Sequence, residues 1–190
     1  MNTPNKLTIF RILMSPLLLV FIFIDFPGHW LAALIVFVIA SLTDMADGML
    51  ARKNNQITDF GKLLDPLADK MLITAALLGL VFSHTGTGVV WVALISLTRE
   101  FLITSIRLLA VRDGKVIAAS IWGKLKTISQ MTAVIFALSV NYFIQFPPFA
   151  KIEQLLYILV TALLWLSALM AVLSGFDYAV KNAKYIDHTK

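Results

Sequence analysis

Apolar residues fall into six long runs along the chain, each closed by a short cluster of polar or helix-breaking residues. The runs cover about residues 7–24, 30–50, 62–82, 89–111, 118–143 and 152–179. Between them stand Asp25-Phe26-Pro27-Gly28, a polar stretch over 53–60, Ser83-His84-Thr85-Gly86, Arg112-Asp113-Gly114 and Pro147-Pro148. A helix needs about 20 apolar residues to cross a bilayer. The pattern therefore predicts six transmembrane helices joined by short loops. Asn2-Thr3-Pro4-Asn5 suits a helix start, with polar caps and a proline in the first turn, and Pro16 predicts a kink in the first helix. No small-residue cleavage site follows the first run, whose length fits a span better than a signal peptide. No internal repeat is evident. The expectation is an all-α integral membrane bundle of six helices, a single membrane-embedded domain over residues 1–190.

Composition strengthens this picture. The 190 residues are 59% hydrophobic and 14% charged, against about 45–50% and 25% for a soluble domain. Disorder is excluded and a soluble globule disfavoured. There is no cysteine, so disulfides, zinc-thiolate sites and a thiol nucleophile are excluded.

The net charge of +5 first raises nucleic acid as a partner. The positions of the charges argue otherwise. Lys6 and Arg11 lie near the start; Arg52, Lys53 and Lys62 flank the second connection; Arg107, Arg112, Lys115, Lys124 and Lys126 flank the fourth; Lys181, Lys184 and Lys190 lie in the tail. The opposite loops hold only Lys151. Such one-sidedness predicts that both termini and the two basic connections face the cytosol of a multi-pass protein in the cell membrane. No nucleic-acid role is expected.

Several ionisable residues break the apolar runs: Asp44, Asp47, Asp65, Asp69, Lys70, Arg99, Glu100 and Arg107. Each charge near the centre of a span costs about 2.5–3.5 kcal/mol, and less near an end. Four unpaired carboxylates would together cost on the order of 10 kcal/mol, so they need partners. Asp44 and Asp47 are three residues apart, and Ala51 follows four later, which places them on one helix face. Asp65 and Asp69 are four apart, with Gly61 one turn earlier. The short loop makes the two helices neighbours, so the carboxylate pairs can face each other near the cytosolic end. Carboxylates this close stay ionised only with cations between them, and hard divalent ions with oxygen ligands suit them, two better than one. The alternative is a carboxylate–Arg/Lys network that merely locks helices. Gly48 and Gly61 serve either close helix packing or access for a flat ligand group.

At these residues a family resemblance emerges. Asp44-x2-Asp47-Gly48-x2-Ala51-Arg52, followed after eight residues by Gly61-x3-Asp65-x3-Asp69, resembles the motif of the CDP-alcohol phosphotransferases, with all eight positions filled. Pro4-Asn5-Lys6-Leu7-Thr8-Ile9-Phe10-Arg11, Leu64-Asp65-Pro66-Leu67-Ala68-Asp69-Lys70, Arg99-Glu100-Phe101 and the stretch from Trp122 to Met131 are similar to the bacterial phosphatidylglycerophosphate synthase branch. The last two spans carry little specific resemblance.

The resemblance implies a six-helix membrane fold, a homodimer, and transfer of a phosphatidyl group from CDP-diacylglycerol to sn-glycerol 3-phosphate. The products are phosphatidylglycerophosphate and CMP. It implies two divalent cations, Mg²⁺ or Mn²⁺, held by Asp44, Asp47, Asp65 and Asp69, with Asp69 also the general base. Gly48, Ala51 and Gly61 leave room for cytidine, Arg52 contacts it or the diphosphate, and Asn5, Thr8 and Arg11 line the nucleotide side, capping being the alternative for Asn5. The acceptor's phosphate needs cations. Lys70, Arg99, Arg107, Arg112, Lys124 and Lys126 are the candidates, Arg being the better bidentate ligand. For Arg112 and Lys126 the alternative is topological flanking, and for Arg99 an ion pair with a carboxylate. The acyl chains are expected to stay among the membrane lipids. Rival readings are a relative using another acceptor, such as inositol phosphate or a second lipid, a divalent-cation transporter, and a structural scaffold. A transporter site usually lies near the midplane, between half-repeats, neither of which this pattern offers.

Overall fold

A computed structural model describes residues 3–54, 59–112, 117 and 120–183, without the side chains of 3–6, 44–54, 59–66, 69 and 111–112. Among the described residues all regular structure is helical. Six long helices follow the apolar runs: α1 Thr3–Phe23, α2 His29–Asn54, α3 Asp59–Phe82, α4 Val89–Arg112, α5 Ile121–Phe143 and α7 Glu153–Lys181. α6 is a single turn, Pro147–Ala150. The two prolines expected only to end the fifth run instead open this turn, because a proline φ is already helical and its missing N–H is not needed there.

Local chemistry accounts for the boundaries. Ser120 caps α5: its Oγ accepts from the Gly123 amide at 3.2 Å, so α5 starts at Ile121 rather than at 118. Gly86 and Gly88, with φ of +91° and +70°, make the turn between α3 and α4 in a backbone region that disfavours other residues. α1 runs through Pro16.

With 21 to 29 residues, the long helices measure about 30–45 Å at 1.5 Å per residue, enough for a hydrocarbon core of about 30 Å. The stretches Val89–Ala110 and Glu153–Lys181 are long and apolar enough to cross a membrane; the apolar parts of α1, α2 and α3 among the described residues are shorter, Leu7–Phe23, His29–Thr43 and Lys70–Phe82.

Contacts close the six helices into a ring in the order α1, α2, α5, α7, α4, α3 and back to α1. The interior is lined by small and medium apolar residues, among them Ala33, Ala40, Ala76, Ala133, Ala137, Leu77, Leu138 and Leu164, all fully buried. Small residues let helix axes approach where lipid supplies no hydrophobic drive. The outside is the reverse of a soluble protein's. Phe176, Phe101, Leu108, Phe82 and Ile128 are each more than 60% exposed, while Arg11, Lys126, Gln130 and Asn141 are buried. Water would penalise such a surface; lipid does not. The chain is a helical membrane protein.

Candidate active site

α4 presents Ser96, Glu100, Ile103 and Arg107 at helical spacing, so all four lie along one inward stripe. Facing it, α5 contributes Gly123, Lys126 and Gln130. The two helices run antiparallel. Glu100, midway along α4, meets Lys126 near the start of α5, and Asn141, late in α5, meets Thr85, just before α4. Lys70 of α3 and Tyr178 of α7 complete the walls of a cavity of about 670 Å³.

Five of the six cations expected to serve an acceptor phosphate line this one cavity: Lys70, Arg99, Arg107, Lys124 and Lys126. The sixth, Arg112, ends α4, and its side chain lies outside the described residues. Among the described residues one carboxylate, Glu100, stands between these cations. Its Oε1 accepts from Lys126 Nζ at 2.7 Å and from Arg99 NH1 at 2.8 Å. The ion pair weighed as the alternative for Arg99 is thus present, made with its own neighbour. It does not remove Arg99 from the cavity, because the guanidinium has a second edge, from which NH2 donates to Ser174 Oγ at 2.6 Å. For Lys126, topological flanking is overturned: the side chain is 3% exposed and faces the interior. A flanking lysine would reach water.

The remaining cations are held more lightly. Arg107 donates from Nε to the Tyr178 hydroxyl at 3.2 Å and lies over that ring at 5.7 Å from its centre, which leaves its two terminal nitrogens for a ligand. Lys70 Nζ donates to Thr104 Oγ1, which in turn donates to the Glu100 carbonyl at 2.7 Å. Lys124 is exposed at the mouth.

Arg99 reaches its place between two glycines. A Cβ at Gly123 would stand 3.3 Å from its NH2, and one at Gly175 would stand 3.3 Å from its Cγ. Any larger side chain on α5 or α7 at these positions would push the guanidinium aside.

Thr8 and Arg11 are fully buried on α1, which contacts both α2 and α3. Asp44, Asp47, Gly48, Ala51 and Arg52 lie on α2, and Gly61, Asp65 and Asp69 on α3; their side chains, like that of Asn5, lie outside the described residues. Their backbone register is defined. Asp44 is ten residues before the end of α2 and Asp69 ten after the start of α3; Asp47 and Asp65 are seven and six residues from the same ends. The two helices are in contact, and each pair lies a similar number of residues from the connection between them. Lys70 follows Asp69 directly, so α3 carries the acidic motif and one wall of the basic cavity together.

Sequence reading missed Glu100 as a bridge, and missed Ser174, Tyr178, Thr104 and Gln130. For two of them the signal was helical spacing to residues already singled out: Gln130 is four beyond Lys126, and Thr104 is four beyond Glu100.

Fold and site together define a helical membrane protein with a cation-lined interior cavity beside an acidic helix pair. Over residues 1–174 the sequence matches the model of the CDP-alcohol phosphatidyltransferases, and the chain belongs to that family. It is similar to the CDP-diacylglycerol–glycerol-3-phosphate 3-phosphatidyltransferase of Bacillus subtilis (strain 168), with 38% identity over 193 aligned residues and 95% of each chain covered. The protein of the same name from Rickettsia bellii (strain RML369-C) is 33% identical over 97% of both chains. A probable phosphatidylglycerophosphate synthase of Mycobacterium tuberculosis (strain CDC 1551 / Oshkosh) is 37% identical over 97% of this chain and 83% of its own.

Proposed function

We propose that this protein transfers the phosphatidyl group of CDP-diacylglycerol to sn-glycerol 3-phosphate, giving phosphatidylglycerophosphate and CMP. The observation that carries the acceptor assignment is the convergence of five cations from α3, α4 and α5 on one cavity. An acceptor that is itself an anion needs such a place; a neutral alcohol does not. The names of the relatives agree with this choice.

In the reaction, the acceptor's primary hydroxyl oxygen bonds to the phosphatidyl phosphorus. The bond from that phosphorus to the CMP oxygen breaks, CMP leaves with the electron pair, and Asp69 takes the hydroxyl proton. Phosphoryl transfer depends mainly on positioning and on neutralising charge. Arg99, Arg107, Lys124 and Lys126 fix the acceptor phosphate, and Lys70 stands between that phosphate and the acidic motif. Thr8 and Arg11, with Asn5, Gly48, Ala51, Arg52 and Gly61, serve the cytidine diphosphate. Arg112, which ends α4, would draw the anionic acceptor toward the site.

Asp44, Asp47, Asp65 and Asp69 fit a pair of divalent cations. All four offer hard oxygen donors of the kind Mg²⁺ and Mn²⁺ prefer, and they lie on two helices in contact, similar numbers of residues from the connection between them. When bound, the ions would neutralise the diphosphate and the charge developing on the leaving oxygen. Acyl chains remain in the surrounding lipid. Both termini and the cavity mouth lie on the cytosolic side of the cell membrane, the enzyme forms a homodimer, and residues 1–190 act as one catalytic unit.

The test is CMP release by purified protein given CDP-diacylglycerol, Mg²⁺ or Mn²⁺, and a panel of alcohols. Release is expected with glycerol 3-phosphate. Silence with every acceptor would overturn the enzyme reading; release with inositol phosphate but not glycerol 3-phosphate would overturn the acceptor.

A further inference from the structure

The floor of the cavity carries an anomaly. Gln130 on α5 is 1% exposed, yet neither its amide nitrogen nor its amide oxygen has a hydrogen-bond partner among the described residues. Ser96 on α4, also 1% exposed, has an unpartnered hydroxyl. Both side chains line the same cavity. Buried polar groups without partners are destabilising and rare in folded proteins. A membrane helix that could place leucine at either position instead spends these groups on the cavity.

Their height is informative. Ser96 is four residues before Glu100, and Gln130 is four residues after Lys126. Glu100 and Lys126 are joined across the cavity at 2.7 Å, and α4 and α5 run antiparallel. Both unpartnered groups therefore lie one helical turn, about 5.4 Å, below the cationic layer and away from the α4–α5 connection. The short carbon skeleton of a polyol phosphate covers that distance. An amide that can both donate and accept, beside a hydroxyl that can do the same, matches a ligand hydroxyl, which also does both.

We propose that Gln130, with Ser96, reads the secondary hydroxyl of the acceptor while the cations hold its phosphate. This makes Gln130 the specificity residue that distinguishes a polyol phosphate from an alkyl phosphate of the same length. The inference rests on the acceptor reading above and deepens it. Hydrogen-bonding sites of this kind reject analogues that lack the hydroxyl, because the buried protein groups are then left unpaired.

The experiment compares the full-length protein with Gln130→Met, which keeps the volume and removes both polar atoms. The acceptors are glycerol 3-phosphate and 3-hydroxypropyl phosphate, which keeps the primary hydroxyl and the phosphate but lacks the secondary hydroxyl. Wild-type protein is expected to favour glycerol 3-phosphate by about 10- to 100-fold in kcat/KM, the worth of one or two buried hydrogen bonds. In Gln130→Met, kcat/KM for glycerol 3-phosphate should fall by a similar factor, and that for the analogue far less, so that the preference collapses. The melting temperature should hold or rise, since an unpaired buried amide has been removed. An equal loss with both acceptors, or an unchanged preference, would overturn the role of Gln130. A lower melting temperature with the preference intact would assign the amide to the scaffold and equally overturn it. Wild-type protein that fails to use glycerol 3-phosphate at all would instead bring down the acceptor reading on which the inference rests.

Discussion

Arg107 is the cation best placed to change hands. One nitrogen is engaged by Tyr178 and the others are left to a ligand. A charge-assisted hydrogen bond is worth about 1.5–3 kcal/mol. Arg107→Ala should therefore raise KM for glycerol 3-phosphate by about 10-fold or more while moving that for CDP-diacylglycerol little, as steady-state kinetics in each substrate will read. Tyr178→Phe keeps the ring beneath the guanidinium and loses only the hydroxyl acceptor, so its effect should run the same way and be smaller. Asp69→Asn should abolish CMP release without unfolding the protein, because an amide is nearly the same shape and cannot take the proton; near-normal turnover would remove Asp69 as base. Residues of this kind were legible in the sequence to the extent that charge in an apolar run is conspicuous. Lys70, Arg99 and Arg107 stood out for that reason, and Lys124 and Lys126 as basic residues flanking the fourth connection. Glu100 stood out too, yet nothing local says whether a carboxylate beside an arginine will bind metal or bridge cations; the bridge depends on Lys126 arriving from another helix. Gln130, Ser174 and Tyr178 are single polar residues in apolar helices, and their meaning exists only once the helices are packed.

Between elements, glycines and one buried amide set how the helices meet. Gly123 and Gly175 form the slot through which Arg99 enters the cavity. Gly175→Leu should displace the guanidinium and raise acceptor KM, since the added side chain must occupy space that Arg99 now fills. At the opposite end, Asn141 Nδ2 donates to Thr85 Oγ1 at 3.0 Å, and Tyr157 OH donates to Asn141 Oδ1 at 3.2 Å. That network ties α5 to the α3–α4 turn and to α7, far from any cation. Asn141→Leu should lower stability by about 1 kcal/mol, the usual scale for interhelical hydrogen bonds in membrane proteins. That is about 2–4 °C in melting temperature for a chain of this size, with acceptor KM unchanged. The two substitutions thus separate site from scaffold, and a KM shift in Asn141→Leu would join them again. The helices themselves were readable from sequence because each apolar run ends in residues with a physical reason to break a helix; α3 and α4 end within a residue of the expected places. The ring order was not readable. α2 meets α5, and α7 meets α4 and α5, through alanine- and serine-lined faces whose partners no local pattern specifies.

For the whole molecule, the question is which way the cavity opens. Arg107 lies near the end of α4 and Lys124 near the start of α5, so the cationic layer sits beside the α4–α5 connection. Arg112 and Lys115 add positive charge there. The acidic motif lies toward the α2–α3 connection, with Arg52 and Lys53 close by in sequence. The far end holds the neutral Asn141–Thr85–Tyr157 network. The two ends thus differ in charge; in the proposed orientation, with the basic connections cytosolic, the site's mouth would face the side from which glycerol 3-phosphate arrives. That acceptor is an anion that does not cross a bilayer unaided, so sidedness can be read directly. Inverted membrane vesicles carrying the protein should release CMP on addition of glycerol 3-phosphate and a divalent salt without detergent, and a chelator should stop them. Right-side-out vesicles should stay silent until detergent opens them. The opposite pattern would reverse the orientation and detach the basic connections from topology. Equal activity in both intact preparations would mean that the cavity is exposed on both faces of the membrane, and would overturn a single orientation set by the basic connections.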